Sequence, residues 1–110
     1  MISINQTKLK KENTKKLTTI EISYIDLIER LGVPNFKETN NNKTKVEWRL
    51  LISDNQMYEE EDLILIKPLN EQEEIQYVTK WEIRGSYGLL AYELKTLILE
   101  KEPLNIKVTA

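Results

Sequence analysis

Lys45-Val46-Glu47-Trp48-Arg49-Leu50-Leu51-Ile52 and Val78-Thr79-Lys80-Trp81-Glu82-Ile83-Arg84-Gly85-Ser86-Tyr87-Gly88 are the two stretches that decide the fold. Each centres a tryptophan in a period-two alternation, the pattern of a strand with one buried face. Val46, Trp48, Leu50 and Ile52 fall on one side of the first strand, with Glu47, Arg49 and Leu51 on the other. Tyr77, Thr79, Trp81 and Ile83 share a side of the second, opposite Val78, Lys80, Glu82 and Arg84. Alternation with aliphatic residues marks both tryptophans as core rather than ligand-stacking residues.

Working outward, Thr18 to Ile22 reads as a short strand, and Ser23 as the N-cap of a first helix with Asp26 three residues on. Tyr24, Leu27, Ile28 and Leu31 keep helical spacing, Gly32 suits the C-terminal turn and Pro34 blocks continuation. Residues 35–44, with consecutive asparagines Asn40, Asn41 and Asn42, read as a polar loop. The acidic run Glu59-Glu60-Glu61-Asp62 lacks the ligand alternation and glycine of a calcium loop, so a solvated turn is expected there. An apolar strand follows at residues 63–67. Ser86 is placed to cap a last helix over residues 87–101, with Leu90, Leu94, Leu97 and Ile98 as its stripe and Pro103 as its end. Leu104, Ile106 and Val108 alternate again, which predicts a terminal edge strand or a strand that pairs between chains.

At the other end, Ile2 to Ile4 suits a short strand within a segment rich in lysine: Lys8, Lys10, Lys11, Lys15 and Lys16 stand against Glu12. The expectation is a flexible basic arm over residues 1–16 and a single domain over residues 17–110. Short polar links between strands favour an antiparallel sheet. The predicted class is α+β, a small antiparallel sheet of about four to five strands covered by two helices.

A chain of 110 residues with 40% apolar and 31% charged residues supports one modest core. A net charge of −2 argues against nucleic acid as a partner. No apolar run approaches the roughly 18 residues of a membrane span, and no secretory leader is read, so a cytoplasmic location is expected. Cysteine and histidine are both missing from the sequence. That excludes disulfides, the usual zinc and haem attachments and a histidine-based nucleophilic hydrolase, so neither a metal nor a cofactor nor an enzymatic activity is expected.

Two groups of residues carry candidate chemistry. At the strand-to-helix junction, Arg84, Gly85, Ser86 and Tyr87 suggest an anion site: free backbone N–H groups, a positive helix end, a hydroxyl, a guanidinium and an aromatic ring. The spacing is not that of a phosphate-binding P-loop. On the outward strand face, Arg49, Lys80 and Arg84 are cations that can read a phosphate, with Glu47 and Glu82 between them. The simpler reading of that face is cross-strand ion pairing, and a glycosidase-like acid pair of Glu47 and Glu82 has nothing beside it to raise a pKa.

From Tyr24 to Leu97 the order of motifs resembles a family of small bacteriophage-encoded proteins. Tyr24-Ile25-Asp26-Leu27-Ile28-Glu29-Arg30-Leu31-Gly32-Val33-Pro34 matches a helix end of the form Y-x-x-L-x-x-x-F-G-x-P, and Lys45-Val46-Glu47-Trp48 a V-x-x-E-W-like strand. Leu63-Ile64-Leu65-Ile66-Lys67 stands for a short I-Y-x-Y-K-like strand, and Thr79-Lys80-Trp81-Glu82-Ile83-Arg84-Gly85 for T-x-W-H-I-G-G. Glu82 replaces the family's His and Arg84 its first Gly, so no role of that His transfers. The resemblance implies a viral protein in the host cytoplasm. Two functions are then expected: a non-enzymatic protein that sequesters a small anionic, nucleotide-like ligand against host immune signalling, or a protein–protein interaction module that inhibits a host protein. A homo-oligomer is expected from the terminal strand in either case.

Overall fold

A computed structural model describes residues 2–9, 14–41, 43–54 and 60–107. Their elements run β1 (Ile2–Gln6), β2 (Lys15–Glu21), α1 (Tyr24–Leu31), β3 (Phe36–Asn40), β4 (Lys43–Asp54), β5 (Glu60–Pro68), a 3-10 turn (Ile75–Tyr77), β6 (Lys80–Gly85), α2 (Gly88–Leu99) and β7 (Ile106–Lys107). The class is α+β. The sheet is larger than expected, with seven strands in the order β2-β6-β5-β4-β1-β7 and β3 added to β4.

Three features account for the extra strands. β4 is 12 residues long, so its two halves hold different partners on one edge: β3 along its first half and β1 along its second. The side chain of Asn35 joins them. Its Nδ2 donates to the carbonyls of Thr7 and Arg49, each at 2.9 Å, and its Oδ1 accepts from Arg49 N at 2.7 Å. β3 falls in the segment expected to be a loop. It is exposed over Lys37 to Asn40, so no apolar alternation announces it, and it is held by backbone pairing to β4. The tail forms β7, parallel to β1 with Ile4 opposite Ile106, which makes the sheet mixed rather than antiparallel. That strand finds a partner within its own chain and forms the edge of the sheet, as one of the two expectations had it; Val108 lies outside the described residues.

The basic arm is corrected in part. Ile2 to Gln6, together with Lys15 and Lys16, belongs to the sheet, and residues 10–13 lie outside the described residues.

Both helices cover the same face of the sheet, over Trp48, Leu50, Ile52, Ile64, Ile66, Trp81 and Ile83. The two tryptophans are fully buried and meet edge-on at 5.5 Å, with Tyr24 of α1 against both. Each indole N–H also finds an acceptor, as a buried donor must. Trp81 Nε1 donates to the Ile22 carbonyl and Trp48 Nε1 to that of Gly32, both at 2.9 Å. The pair therefore grips α1 at both ends. Ser23 caps α1 as expected, accepting from Asp26 N, and Gly32 takes φ +80°, the left-handed geometry that favours glycine. Arg30 of α1 donates to the carbonyls of Leu97 and Glu102 through Nη2 and to that of Ile98 through Nε, closing the C-terminal end of α2.

The second tryptophan strand begins later than its alternation implied. Residues 75–77 form the 3-10 turn, so Tyr77 is 65% exposed whereas Val78 is buried.

Candidate functional site: the open face of the sheet

The face away from the helices carries the outward residues of β3, β4, β5, β6 and β2. Strand register sets their neighbours. Phe36 is opposite Glu47, and Lys67 is opposite Glu82, which is opposite Thr19. In the next row Arg49 is opposite Leu65, Leu65 opposite Arg84, and Arg84 opposite Lys16. This face is only partly solvated. Leu65, between the two arginines, is 3% exposed, and the side chains of Glu47, Arg49 and Glu82 are nearly as well covered.

Its charges pair off. Arg49 Nε donates to Glu47 Oε2 at 2.6 Å while its guanidinium lies 3.9 Å above the Phe36 ring. Lys67 lies within 3.0 Å of Glu71 and 3.5 Å of Glu82, and Lys45 within 3.6 Å of Glu71. Burial alone would lower the Lys67 pKa, but the hydrogen bond and charge of Glu71, with help from Glu82, raise it. The hydrogen bond from Lys67 holds Glu71 below the usual carboxylate range, its charge and that of Lys45 adding to the effect against burial.

A cleft of about 180 Å³ opens where the β3–β4 hairpin faces the connection after β5. Phe36, Val46 and Pro68 line it with Glu38, Glu47, Glu71, Glu73, Lys45 and Lys67; Val46 and Pro68 are buried and Phe36 half-buried. Both lysines are already held by Glu71. The charge left uncompensated in the cleft is negative.

The sequence-derived candidates do not converge on one point. Arg84 lies on the open face, donating to the Thr14 carbonyl at 2.6 Å and to Thr14 Oγ1 at 3.2 Å, with Glu82 3.6 Å away. Arg49 is two strands distant against Phe36, and Lys80 is exposed further along β6. The backbone N–H groups of Ser86 and Tyr87 point to the helix-covered side, where both donate to Asp62 Oδ2, at 2.8 and 3.0 Å. The protein's own carboxylate thus takes the position expected for an external anion. Tyr87, not Ser86, is the N-cap of α2, and it makes no side-chain cap hydrogen bond. Gly85 is needed for this approach, because a Cβ there would stand 2.7 Å from both Asp62 Oδ2 and Ile64 Cδ1. The Tyr87 ring is 62% exposed.

Asp62 is the residue that sequence reasoning missed. It belonged to the run read as a solvated turn, yet it is 3% exposed, and its Oδ1 is buried without a hydrogen-bond partner among the described residues. The alternation Asp62, Ile64, Ile66, extended one step towards the N-terminus, carries the signal. Of the rest of that run, Glu59 and the Glu60 side chain lie outside the described residues. Glu38, Glu71 and Glu73 escaped notice because they sit on the unannounced edge strand and in a connection.

Among the described residues no three Asp or Glu side chains gather to hold a metal ion, and no helix is long and apolar enough to cross a membrane. Compared with protein-family models, curated proteins and solved structures, this chain matches none.

Proposed function

We propose that this chain is a non-enzymatic protein-interaction module whose cleft takes a basic segment of a partner protein. The supporting observation is the sign of the uncompensated charge. Lys45 and Lys67 are bound to Glu71, while Glu38 and Glu73 have no ion-pair partner among the described residues. A lysine or arginine from a partner gains both carboxylates and lays its methylenes on the half-buried Phe36. An anion entering the same cleft meets repulsion. Taken with the resemblance to small bacteriophage-encoded proteins, the partner proposed is a host protein in the host cytoplasm. Fluorescence anisotropy of a labelled lysine-rich peptide, with a glutamate-rich peptide as control, tests the reading. The lysine-rich peptide should bind in a salt-dependent way, and Glu38→Lys with Glu73→Lys should abolish that binding. Equal binding of both peptides would overturn it.

Capture of a small nucleotide-like anion, the alternative, keeps one observation in its favour. Lys16 lies opposite Arg84, so two cations share this end of the face with Glu82, 3.6 Å from Arg84. Calorimetry with a nucleotide panel decides between the two readings: binding that is lost in Arg84→Ala supports anion capture.

A further inference from the structure

The open face is not the one surface without a described occupant. Helix α2 is apolar on two sides. Leu90, Ala91, Leu94 and Ile98 are buried against the sheet. Leu89 is 63% exposed, Tyr92 53% and Leu99 49%. With 3.6 residues per turn, Leu89, Tyr92, Thr96 and Leu99 lie within an arc of roughly 80°, almost opposite the buried residues. The steps of three, four and three residues between them are those of a seam between two helices. A helix with one apolar stripe is satisfied by its own sheet; the second stripe needs a further cover.

The charges beside that stripe identify the cover. Lys95 flanks it on one side, and Glu93 and Glu100 flank it on the other. Lys95 Nζ reaches Thr18 Oγ1 at 3.4 Å, but among the described residues it has no carboxylate partner, and Glu93 and Glu100 have no cation. When two copies of such a helix pack parallel, the residue just before one seam position faces the residue just after a seam position, five residues on in the partner. Lys95 then meets Glu100 of the second copy, and the two-fold axis repeats the contact. An antiparallel pair would instead bring like flank to like flank, Lys95 against Lys95 and glutamate against glutamate.

We propose that α2 is a self-association surface, and that a second copy of this chain packs on Leu89, Tyr92, Thr96 and Leu99 with the two helices parallel. The stripe that each chain leaves exposed is smaller than the roughly 800 Å² per partner of a standard stable interface. The pair is therefore reversible and forms in the micromolar range or above. Its surface is separate from the cleft, so the two proposals stand or fall independently.

Sedimentation velocity of the full chain over a range of concentrations tests this. The natural chain should move from monomer to dimer as concentration rises, and Leu89→Lys should stay monomeric with an unchanged melting temperature. Lys95→Glu and Glu100→Lys should each weaken association roughly tenfold, through loss of two ion pairs and gain of two repulsions. Mixing the two variants should restore a heterodimer, because every flanking pair is then of opposite sign. A natural chain that stays monomeric at the highest soluble concentration would overturn the proposal. So would a dimer indifferent to Leu89→Lys, or singly reversed variants that fail to recover on mixing.

Discussion

Trp81→Ala removes the residue on which both α1 and the sheet face depend. The side chain is fully buried, and its indole packs 5.5 Å from Trp48 and 5.8 Å from Tyr24. Emptying such a site costs about 3–5 kcal/mol for a large aromatic, because the surroundings relax only in part. The Ile22 carbonyl, which accepts from Trp81 Nε1 at 2.9 Å just before α1, also loses its partner, at about 1–3 kcal/mol if water cannot reach it. A chain of this size has roughly 5–15 kcal/mol in all, so the variant is expected near the limit of folding, with a melting temperature lower by about 15 °C or more. Trp81→Phe separates the two contributions. It keeps most of the packing and loses the donor, so its destabilisation reports chiefly the tie to α1. Urea denaturation followed by far-UV circular dichroism gives both values, and the remaining Trp48 fluorescence reports whether the core stays closed. A Trp81→Ala protein within about 1 kcal/mol of the natural chain would refute the reasoning, since no fully buried indole is lost so cheaply.

Asp62→Ala should destabilise by about 2 kcal/mol, because two part-buried backbone donors at the start of α2 lose their shared carboxylate acceptor; Oδ1, without a hydrogen-bond partner among the described residues, offsets part of that loss. Denaturant midpoints check it, and a neutral result would mean that Asp62 does not hold the strand-to-helix junction. The Lys67–Glu71 pair gives a pH dependence of stated sign. Glu71 has a lowered folded pKa, so its contribution is present above the unfolded carboxylate value and is lost as pH falls through the folded one. The raised Lys67 contributes below its unfolded value and loses that contribution as pH rises through the folded one. Melting temperature measured from neutral to acid pH should therefore fall less steeply in Glu71→Gln, by a small margin because Glu71 is 44% exposed. Identical acid slopes would show that the pairing adds nothing to stability.

Local chemistry was legible wherever a residue's neighbours in sequence were also those that determine its state. The Ser23 cap, the Gly32 stop and the helical spacing of Tyr24, Leu27 and Leu31 specify α1 within one short segment. Alternation around Trp48 and Trp81 placed both indoles in the core, because side-chain direction along a strand is a local property. The α+β class followed from those elements. Four other features depend on partners that the local residue pattern does not announce. β3 has almost no buried side and exists through its pairing with β4, completed by the side chain of Asn35. The tail became a parallel strand because β1, about a hundred residues earlier, leaves an edge beside it. The N–H groups of Ser86 and Tyr87 looked available in sequence, and only the approach of β5 filled them with Asp62. Likewise Arg49, Lys80 and Arg84 are near one another in type but not in place: register and strand order, not spacing in the chain, decide which charges meet. Backbone geometry is encoded over a few residues, whereas the sign and occupancy of a surface are sums over strands brought together from distant positions.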